Sequence, residues 1–198
     1  MRWIKGSRTA AFLFAFISIN SPVMAGEPTD QLKATINKFL DILVKTPVSE
    51  LREKGLPDSA RKLVFARFDF SEMTKRSLGS HWKGLDQTEQ KEFVDAFTER
   101  LLFFYGRNVR SSAKSTIQFG RETRDGTQAS VGTQVLGDGQ PLPIDYQMQD
   151  ENGQWKVYDV VVDHVSVVNN YRAQFDRVIA KSSVKDLLKK MKEQPQDS

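Results

Sequence analysis

The chain has 198 residues, no cysteine, and 29 lysines and arginines against 25 aspartates and glutamates, which gives a formal net charge of +4. The lack of cysteine excludes disulfides, thiolate metal sites, a thiol nucleophile and a lipid attached to an N-terminal cysteine. No dense basic stripe interleaved with aromatic residues occurs, so the sequence predicts no nucleic-acid partner.

The N-terminus has the pattern of a secretory signal peptide. Three basic residues precede an apolar stretch from Ala10 to Ile19, which is shorter than the roughly 20 residues needed to cross a bilayer. Val23 and Ala25 stand at the two positions that a signal peptidase reads, so we expect residues 1–25 to be removed. The remaining chain then carries a net charge of +1, because all three lost charges are positive.

The first part of the mature chain has helical periodicity. After Pro28, apolar residues recur at helical spacing as far as Val44, and Pro47 ends this first helix. A loop-rich stretch is expected next, followed by a second helical piece near Ala60–Phe65.

Two more helices are predicted before the period changes. Ser71 can cap a short helix that Gly79 ends. Asp86 and Glu89 have the spacing of a capping box and begin the longest helix, which Gly106 ends. One face of this helix is strongly apolar and aromatic, with Phe93, Phe97, Leu101, Phe104 and Tyr105.

From Ser115 onward the apolar period changes to two, which indicates strands. Turn signals at Asp125-Gly126, at Gly137 to Gly139 and at Asn152-Gly153 divide this region into four strands. The last strand runs from Trp155 to Val162. Consecutive strands joined by short turns predict an antiparallel meander.

Two helices follow the strands. Ser166 can cap a helix that continues to Ile179, and a last amphipathic helix contains Leu187. Helices, a four-stranded antiparallel sheet and helices again predict an α+β fold in which the N- and C-terminal helices pack on the sheet around an apolar pocket. We expect one domain over residues 26–193 and a disordered tail over residues 194–198.

No catalytic or metal-binding constellation is evident. His81 and His164 are the only histidines, and Asp159 and Asp163 are the nearest acidic residues to His164. A polar strand end leading into a helix cap explains these residues better than a site, because ligating sets usually cluster histidines and carboxylates. No phosphate-binding loop or nucleophile elbow occurs either, so we predict no catalytic residue, no metal and no cofactor.

The aromatic helix and the apolar strand residues form either an ordinary packed core or the wall of a cavity, and their spacing cannot separate the two. If a cavity exists, the candidate lipid-binding residues are Phe93, Phe97, Leu101, Phe104, Val135, Ile144, Tyr146, Val157 and Val160.

Basic residues occur after the aromatic helix and again near the C-terminus. Arg107, Arg110 and Lys114 either contact an anionic headgroup or a partner at the pocket mouth, or lie in a solvated loop. A second group either touches anionic membranes or a partner, or only flanks a packed apolar face; it consists of Lys181, Lys185, Lys189, Lys190 and Lys192.

Two blocks of sequence resemble the MlaC family, also called the toluene-tolerance family. The first block contains F-D-F-S-E-M from Phe68, S-L-G-S-H-W from Ser77 and E-F-V-D-A-F from Glu92. The second block contains W-K-V-Y-D-V from Trp155 and V-S-V-V-N-N-Y-R-A-Q-F from Val165, which is close to the family's strand-to-helix pattern. The resemblance spans essentially all of the mature chain in the expected order.

The resemblance implies a periplasmic phospholipid-binding protein of Gram-negative bacteria, without catalytic residues and with bound phospholipid as its cargo. It implies two partners, an outer-membrane lipoprotein complex and an inner-membrane ABC transporter with an MCE-domain subunit, between which lipid is shuttled. It also implies helices around a four-stranded antiparallel sheet with a deep apolar pocket. We expect the carrier to be a monomer.

Three alternatives remain open at this point. A sister group of the family is linked to hopanoid synthesis, so the cargo could be a hopanoid or another lipid. An isomerase of the NTF2-like type would place an acid–base carboxylate, Asp159 or Asp163, in an apolar cavity. A periplasmic scaffold would have a solid core and no ligand.

Overall fold

A computed structural model describes residues 27–112, 116–137 and 139–193, so the predicted signal peptide and C-terminal tail lie outside the described residues. Its helices are α1 (Glu27–Lys45), α2 (Val48–Lys54), α3 (Asp58–Arg67), α4 (Phe70–Leu78), α5 (Gln87–Ser112), α6 (Val167–Lys181) and α7 (Val184–Lys192), with a 3-10 helix at Gly79–Gly84. Its strands are β1 (Thr116–Asp125), β2 (Gln128–Leu136), β3 (Leu142–Glu151), β4 (Gln154–Val162) and β5 (Val165–Ser166). Within these ranges, no helix combines the length and the apolar character that a membrane span requires.

Side-chain caps fix several of the predicted helix starts. The Glu89 amide donates to Asp86 Oδ1 at 2.8 Å, and the Asp86 amide donates to Glu89 Oε2 at 3.2 Å, which completes the predicted capping box. Ser166 Oγ accepts a hydrogen bond from the Asn169 amide at 3.0 Å and caps α6 as predicted.

Three predicted helix boundaries are wrong. The cap of α4 is Asp69, whose Oδ1 lies 2.9 Å from the Glu72 amide nitrogen, so Ser71 belongs to the first turn of the helix. The expected loop after Pro47 contains α2, because a proline ahead of the first turn is compatible with a helix that follows it. Helix α5 continues through Gly106 to Ser112, since a single glycine costs a helix only about 1 kcal/mol.

The sheet is an antiparallel meander in the order β1-β2-β3-β4-β5. The four predicted strands are present, and the two-residue strand β5 is an addition that the sequence pattern did not predict. Asp163 and His164 form the turn between β4 and β5, with φ angles of 46° and 65°. Positive φ at both central residues is the signature of a type I′ hairpin, and the predicted turn at Asn152-Gly153 has the same signature.

A bulge in β4 changes which residues face the interior. Gln147 pairs with Asp159 and Met148 pairs with Val157, so Tyr158 is the extra residue in β4. Before the bulge the odd-numbered Val157 points inward, and after it the even-numbered Val160 does so. A regular alternation would not place Val157 and Val160 on the same face.

The buried side chains form two clusters. The helical core contains buried residues of α4, α5, α6 and α7, with Phe97 packed edge-on against Tyr171 at 4.9 Å and against Phe175 at 5.5 Å between ring centroids. The sheet core joins α1 to the sheet through Leu32, Ala129, Val131, Met148, Trp155 and Val157.

Candidate functional site: an apolar cavity

An apolar cavity of about 270 Å³ lies between α1, the central helices and the sheet. That volume is close to the lower end of the range for ligand pockets, which is roughly 300–1,000 Å³. Its walls combine members of both cores and residues between them: Leu32, Thr35, Ile36, Phe39, Leu40, Leu56, Val64, Phe68, Phe70, Met73, Leu101, Leu102, Ile117, Val135, Ile144, Tyr146, Val160, Val162 and Val167. The interior is therefore incompletely filled by side chains at this point.

Among the residues that the structure describes, the cavity wall carries two polar side chains, and both have hydrogen-bond partners. Thr35 Oγ1 donates to the Gln31 carbonyl oxygen at 2.9 Å and accepts from Arg67 Nε at 3.1 Å. The Tyr146 hydroxyl bonds to the Thr133 side chain. Burial raises the pKa of Tyr146 to about 12, and the Thr133 hydrogen bond opposes this only in part, so the phenol is neutral at physiological pH. The described part of the wall therefore presents hydrocarbon surface and no charged side chain to a ligand.

The cavity opens at one end of the sheet. Leu32 and Met73 are at most 2% exposed, whereas most of the other wall residues are half-buried. We infer the mouth from five of these half-buried residues, which lie on the second half of α1 or at one end of the sheet: Phe39, Leu40, Ile117, Val135 and Ile144. Ile117 pairs with Val135, and Ile144 pairs with Thr133 two residues away, so the strand members of the mouth share one sheet end. The sheet core closes the opposite end.

Hydrogen bonds of residues in the first half of α1 hold this helix against the sheet. Gln31 Nε2 donates to the Gly153 carbonyl oxygen at 2.8 Å, and Arg67 Nη1 donates to Gln31 Oε1 at 2.8 Å. Arg67 also donates to the carbonyl oxygen of Trp155. Burial lowers the pKa of Arg67 below its ordinary value. These contacts hold α1 across the closed end, and its second half contributes apolar side chains to the cavity wall.

Five of the nine residues predicted from the sequence lie in the cavity wall, namely Leu101, Val135, Ile144, Tyr146 and Val160. The structure places the other four elsewhere. Phe93 and Phe97 are at most 1% exposed within the helical core, because their face of α5 packs on other helices rather than on the sheet. Phe104 is 40% exposed, and Val157 is fully buried in the sheet core.

Sequence reasoning missed the contribution of α1, α3 and α4 to the cavity. Ile36, Phe39 and Leu40 belong to the apolar stripe that predicted α1, but the stripe alone does not distinguish a cavity wall from a packed face. Phe68 and Met73 lie within the first sequence block that resembles the MlaC family. That block was the feature of the sequence that could have indicated their place in the cavity wall.

The position of the predicted basic cluster relative to the cavity is not tested by the described residues. Arg107 and Arg110 lie within α5 rather than in a loop after it, because the helix passes Gly106, and their side chains lie outside the described residues. Lys114 also lies outside the described residues. A role for these residues at the headgroup stays a prediction.

The two carboxylates that the isomerase alternative requires, Asp159 and Asp163, lie outside the cavity wall. Asp159 accepts hydrogen bonds from the Val160 and Val168 amides at 2.8 and 3.0 Å and from Ser166 Oγ at 2.5 Å, which joins the strand end to the cap of α6. Asp163 and His164 occupy an exposed turn. None of the three lines the cavity, and no group of residues in the described ranges could hold a metal ion.

The fold and the site together define a small α+β protein built around an apolar internal cavity. Within that class, the chain belongs to the MlaC protein family, whose sequence model matches residues 33–193, as the resemblance implied. It is 25% identical over 157 residues to the toluene tolerance protein ttg2D of Pseudomonas putida, an alignment that covers 77% of this chain and 73% of the relative.

A solved structure has the same fold. It is a phospholipid-binding protein from Ralstonia solanacearum in complex with a phospholipid, with a TM-score of 0.75 and 24% sequence identity. The superposition covers 84% of this chain and 95% of the other.

Proposed function

We propose that this protein is a carrier that holds the acyl chains of a phospholipid in the cavity between α1 and the sheet. The observation that carries the proposal is a cavity wall that, among the described residues, has no charged side chain and has both of its polar side chains already hydrogen-bonded. Membership of the MlaC family and the phospholipid bound to the structural relative support the identity of the cargo.

The energetics of hydrocarbon in water explain why a carrier is needed. Each buried methylene is worth about 0.8 kcal/mol, so a chain of roughly 16 carbons carries on the order of 13 kcal/mol. A carrier offsets most of this cost only by surrounding the chains with apolar side chains. Release then requires a partner that competes for the chains, because escape into water meets the same cost.

The same wall predicts where the headgroup lies. A charged phosphate buried without a partner would cost far more than the chains gain, so the headgroup stays at the mouth, in contact with water. Apolar contacts are non-directional, so we expect poor discrimination between headgroups. The hydrocarbon part of a hopanoid or of another lipid would make similar apolar contacts with the wall. Identification of the bound molecule distinguishes these lipids from a phospholipid.

We further propose that the mature protein acts in the periplasm after removal of residues 1–25. There it would exchange lipid between an outer-membrane lipoprotein complex and an inner-membrane ABC transporter with an MCE-domain subunit, as a monomer without catalytic residues. Family membership supports this setting.

Organic extraction of the purified mature protein, followed by lipid mass spectrometry, tests the proposal. Two neighbouring residues of β4 offer a matched pair, because Val162 lines the cavity and Val161 lies on the other face of the strand. Val162→Trp should fill part of the cavity and reduce bound lipid several-fold, whereas Val161→Trp should leave it unchanged. A folded wild-type protein without extractable lipid, or equal lipid in both variants, would contradict the proposal.

A further inference from the structure

The last two helices carry a concentration of positive charge that the cavity does not explain. Between residues 172 and 193 there are seven lysines and arginines and three acidic residues, a net charge of +4 in a mature chain of only +1. The rest of the mature chain is therefore net negative. The charge of this protein is polarised towards α6 and α7.

The acidic residues within this segment are mostly occupied by local partners. Asp176 Oδ1 lies 3.2 Å from His81 Nε2 on the 3-10 helix, and Asp186 accepts a hydrogen bond from Ser183 Oγ at 2.7 Å at the start of α7. Lys192 pairs with Glu92 of α5 at 2.9 Å. Lys185 and Lys189 have no carboxylate partner among the described residues, so their charge is available to a ligand.

The basic side chains form an exposed stripe. Lys185, Lys189 and Lys192 follow helical spacing on one side of α7 and, with Glu193, border a shallow depression over Leu188. The opposite face of α7 is buried in the helical core through Leu187 and Met191. The helix therefore holds Lys185 and Lys189 in a fixed exposed row, with Lys192 at its end paired to Glu92 of α5.

We propose that this stripe, Lys185, Lys189 and Lys192 with the neighbouring Lys181 and Lys190, docks on the anionic headgroups of a lipid bilayer. Lysine is a compact point charge that does not require a matching geometry, and each one near an anionic membrane strengthens binding by about fivefold. The inference is separate from the proposed function, because docking on a bilayer does not require the cavity to hold lipid.

The chemistry of the stripe favours a bilayer over an acidic protein as the partner. Protein interfaces are centred on buried aromatic residues and arginine and are depleted in lysine. The large exposed apolar side chains of the described residues are Val44, Phe65, Phe104, Leu142 and Val165. All of them lie outside α6 and α7, so the stripe has charge without an apolar anchor.

Sedimentation of the full mature protein with sucrose-loaded vesicles tests this docking. Vesicles of phosphatidylglycerol and phosphatidylethanolamine are compared with vesicles of phosphatidylcholine at low ionic strength, where the Debye length is about 30 Å. We expect partitioning onto the anionic vesicles only. K185Q/K189Q should lower it about 25-fold, since two lysines are lost.

A matched control removes the same charge from another surface. Lys38 of α1 and Lys62 of α3 are exposed and also lack a carboxylate partner among the described residues, so K38Q/K62Q should change partitioning less than twofold. Equal losses in the two double variants would overturn the assignment of the stripe. Equal partitioning of the wild type onto both kinds of vesicle, or none onto either, would overturn the docking itself and leave an acidic protein as the occupant.

Discussion

Asp159 Oδ1 lies 3.0 Å from the Val168 amide nitrogen, which ties the end of β4 to the first turn of α6. The other carboxylate oxygen accepts from Ser166 Oγ, and Ser166 Oγ in turn accepts from the Asn169 amide. The carboxylate thus completes a helix cap that the family's second sequence block encodes. It positions α6 and, through Val167, one part of the cavity wall.

Replacement of Asp159 should reduce stability without removing the cargo. In Asp159→Asn the carboxylate oxygen that accepts from Ser166 becomes an amide donor, and an unsatisfied buried hydrogen-bonding group costs about 1–3 kcal/mol. The free energy of unfolding, measured in urea, should fall by that amount, while extractable lipid per folded protein stays constant. Unchanged stability, or an enzymatic turnover that the variant loses, would contradict the structural role.

The ring of Tyr146, rather than its hydroxyl, should matter for lipid. Tyr146→Phe keeps the wall and removes the bond to Thr133, and Thr133 Oγ1 still donates to the Ile144 carbonyl oxygen at 3.0 Å. The variant should retain its lipid and lose about 1 kcal/mol of unfolding free energy. In the wild type, ultraviolet titration should show a tyrosine component that ionises near pH 12 and that is absent from the variant. Loss of lipid from this variant would show that the hydroxyl binds the cargo.

Phe97 and Leu102 should respond differently to truncation, although both belong to α5. Phe97 is fully buried between Tyr171 and Phe175, so Phe97→Ala should lower the free energy of unfolding by about 3–5 kcal/mol. Leu102 is half-buried in the cavity wall, so Leu102→Ala should cost less stability and change the amount of bound lipid. A stable Phe97→Ala protein that has lost its lipid would place Phe97 in the cavity wall instead.

Ionisation of Glu151 should lower the free energy of unfolding as the pH rises. Glu151 is exposed at the end of β3, but partial desolvation still raises its pKa above the ordinary 4.5. The charge and hydrogen bond of Asp69 add to the effect, and the charge of Lys156 opposes it. The folded state therefore binds this proton more tightly than the unfolded chain, and stability is lost as the pH rises from 4.5 through the folded pKa.

Glu151→Gln removes this dependence. Its midpoint of thermal unfolding should exceed that of the wild type at pH 7, and the two should converge below pH 4.5, where Glu151 is neutral in both states. Glu53→Gln, at an exposed position of α2, provides the control. A variant less stable than the wild type at pH 7 would show that the Glu151 carboxylate stabilises the fold.

Much of the fold could be predicted from local chemistry. The capping box at Asp86, the cap at Ser166 and the turn at Asn152-Gly153 depend on residues close in sequence, and the structure confirms all three. The features that were missed depend on longer-range context. The helix α5 passes Gly106 because the weak preference of one glycine does not end a long helix.

The cavity could be predicted only in part. Periodicity identifies which residues are apolar, but it does not separate Phe97 from Leu101 on the same face of α5. Both belong to the helical core, and only Leu101 also contributes to the cavity wall. Across the bulge at Tyr158, Val157 similarly lies in the sheet core and Val160 lies in the cavity wall. Whether an interior is filled depends on how whole elements meet, and a single sequence pattern does not contain that information.

The location of the acyl chains is the central claim, and bromine-labelled lipid tests it most directly. The protein would be loaded with a phospholipid brominated in the middle of its acyl chains, crystallised and measured at the bromine absorption edge. Anomalous peaks should lie between α1 and the sheet, beside Ile36, Leu101 and Tyr146, with the headgroup density at the mouth near Val135 and Ile144. Stoichiometric lipid whose bromine peaks lie outside this cavity, with the cavity itself closed, would contradict the account.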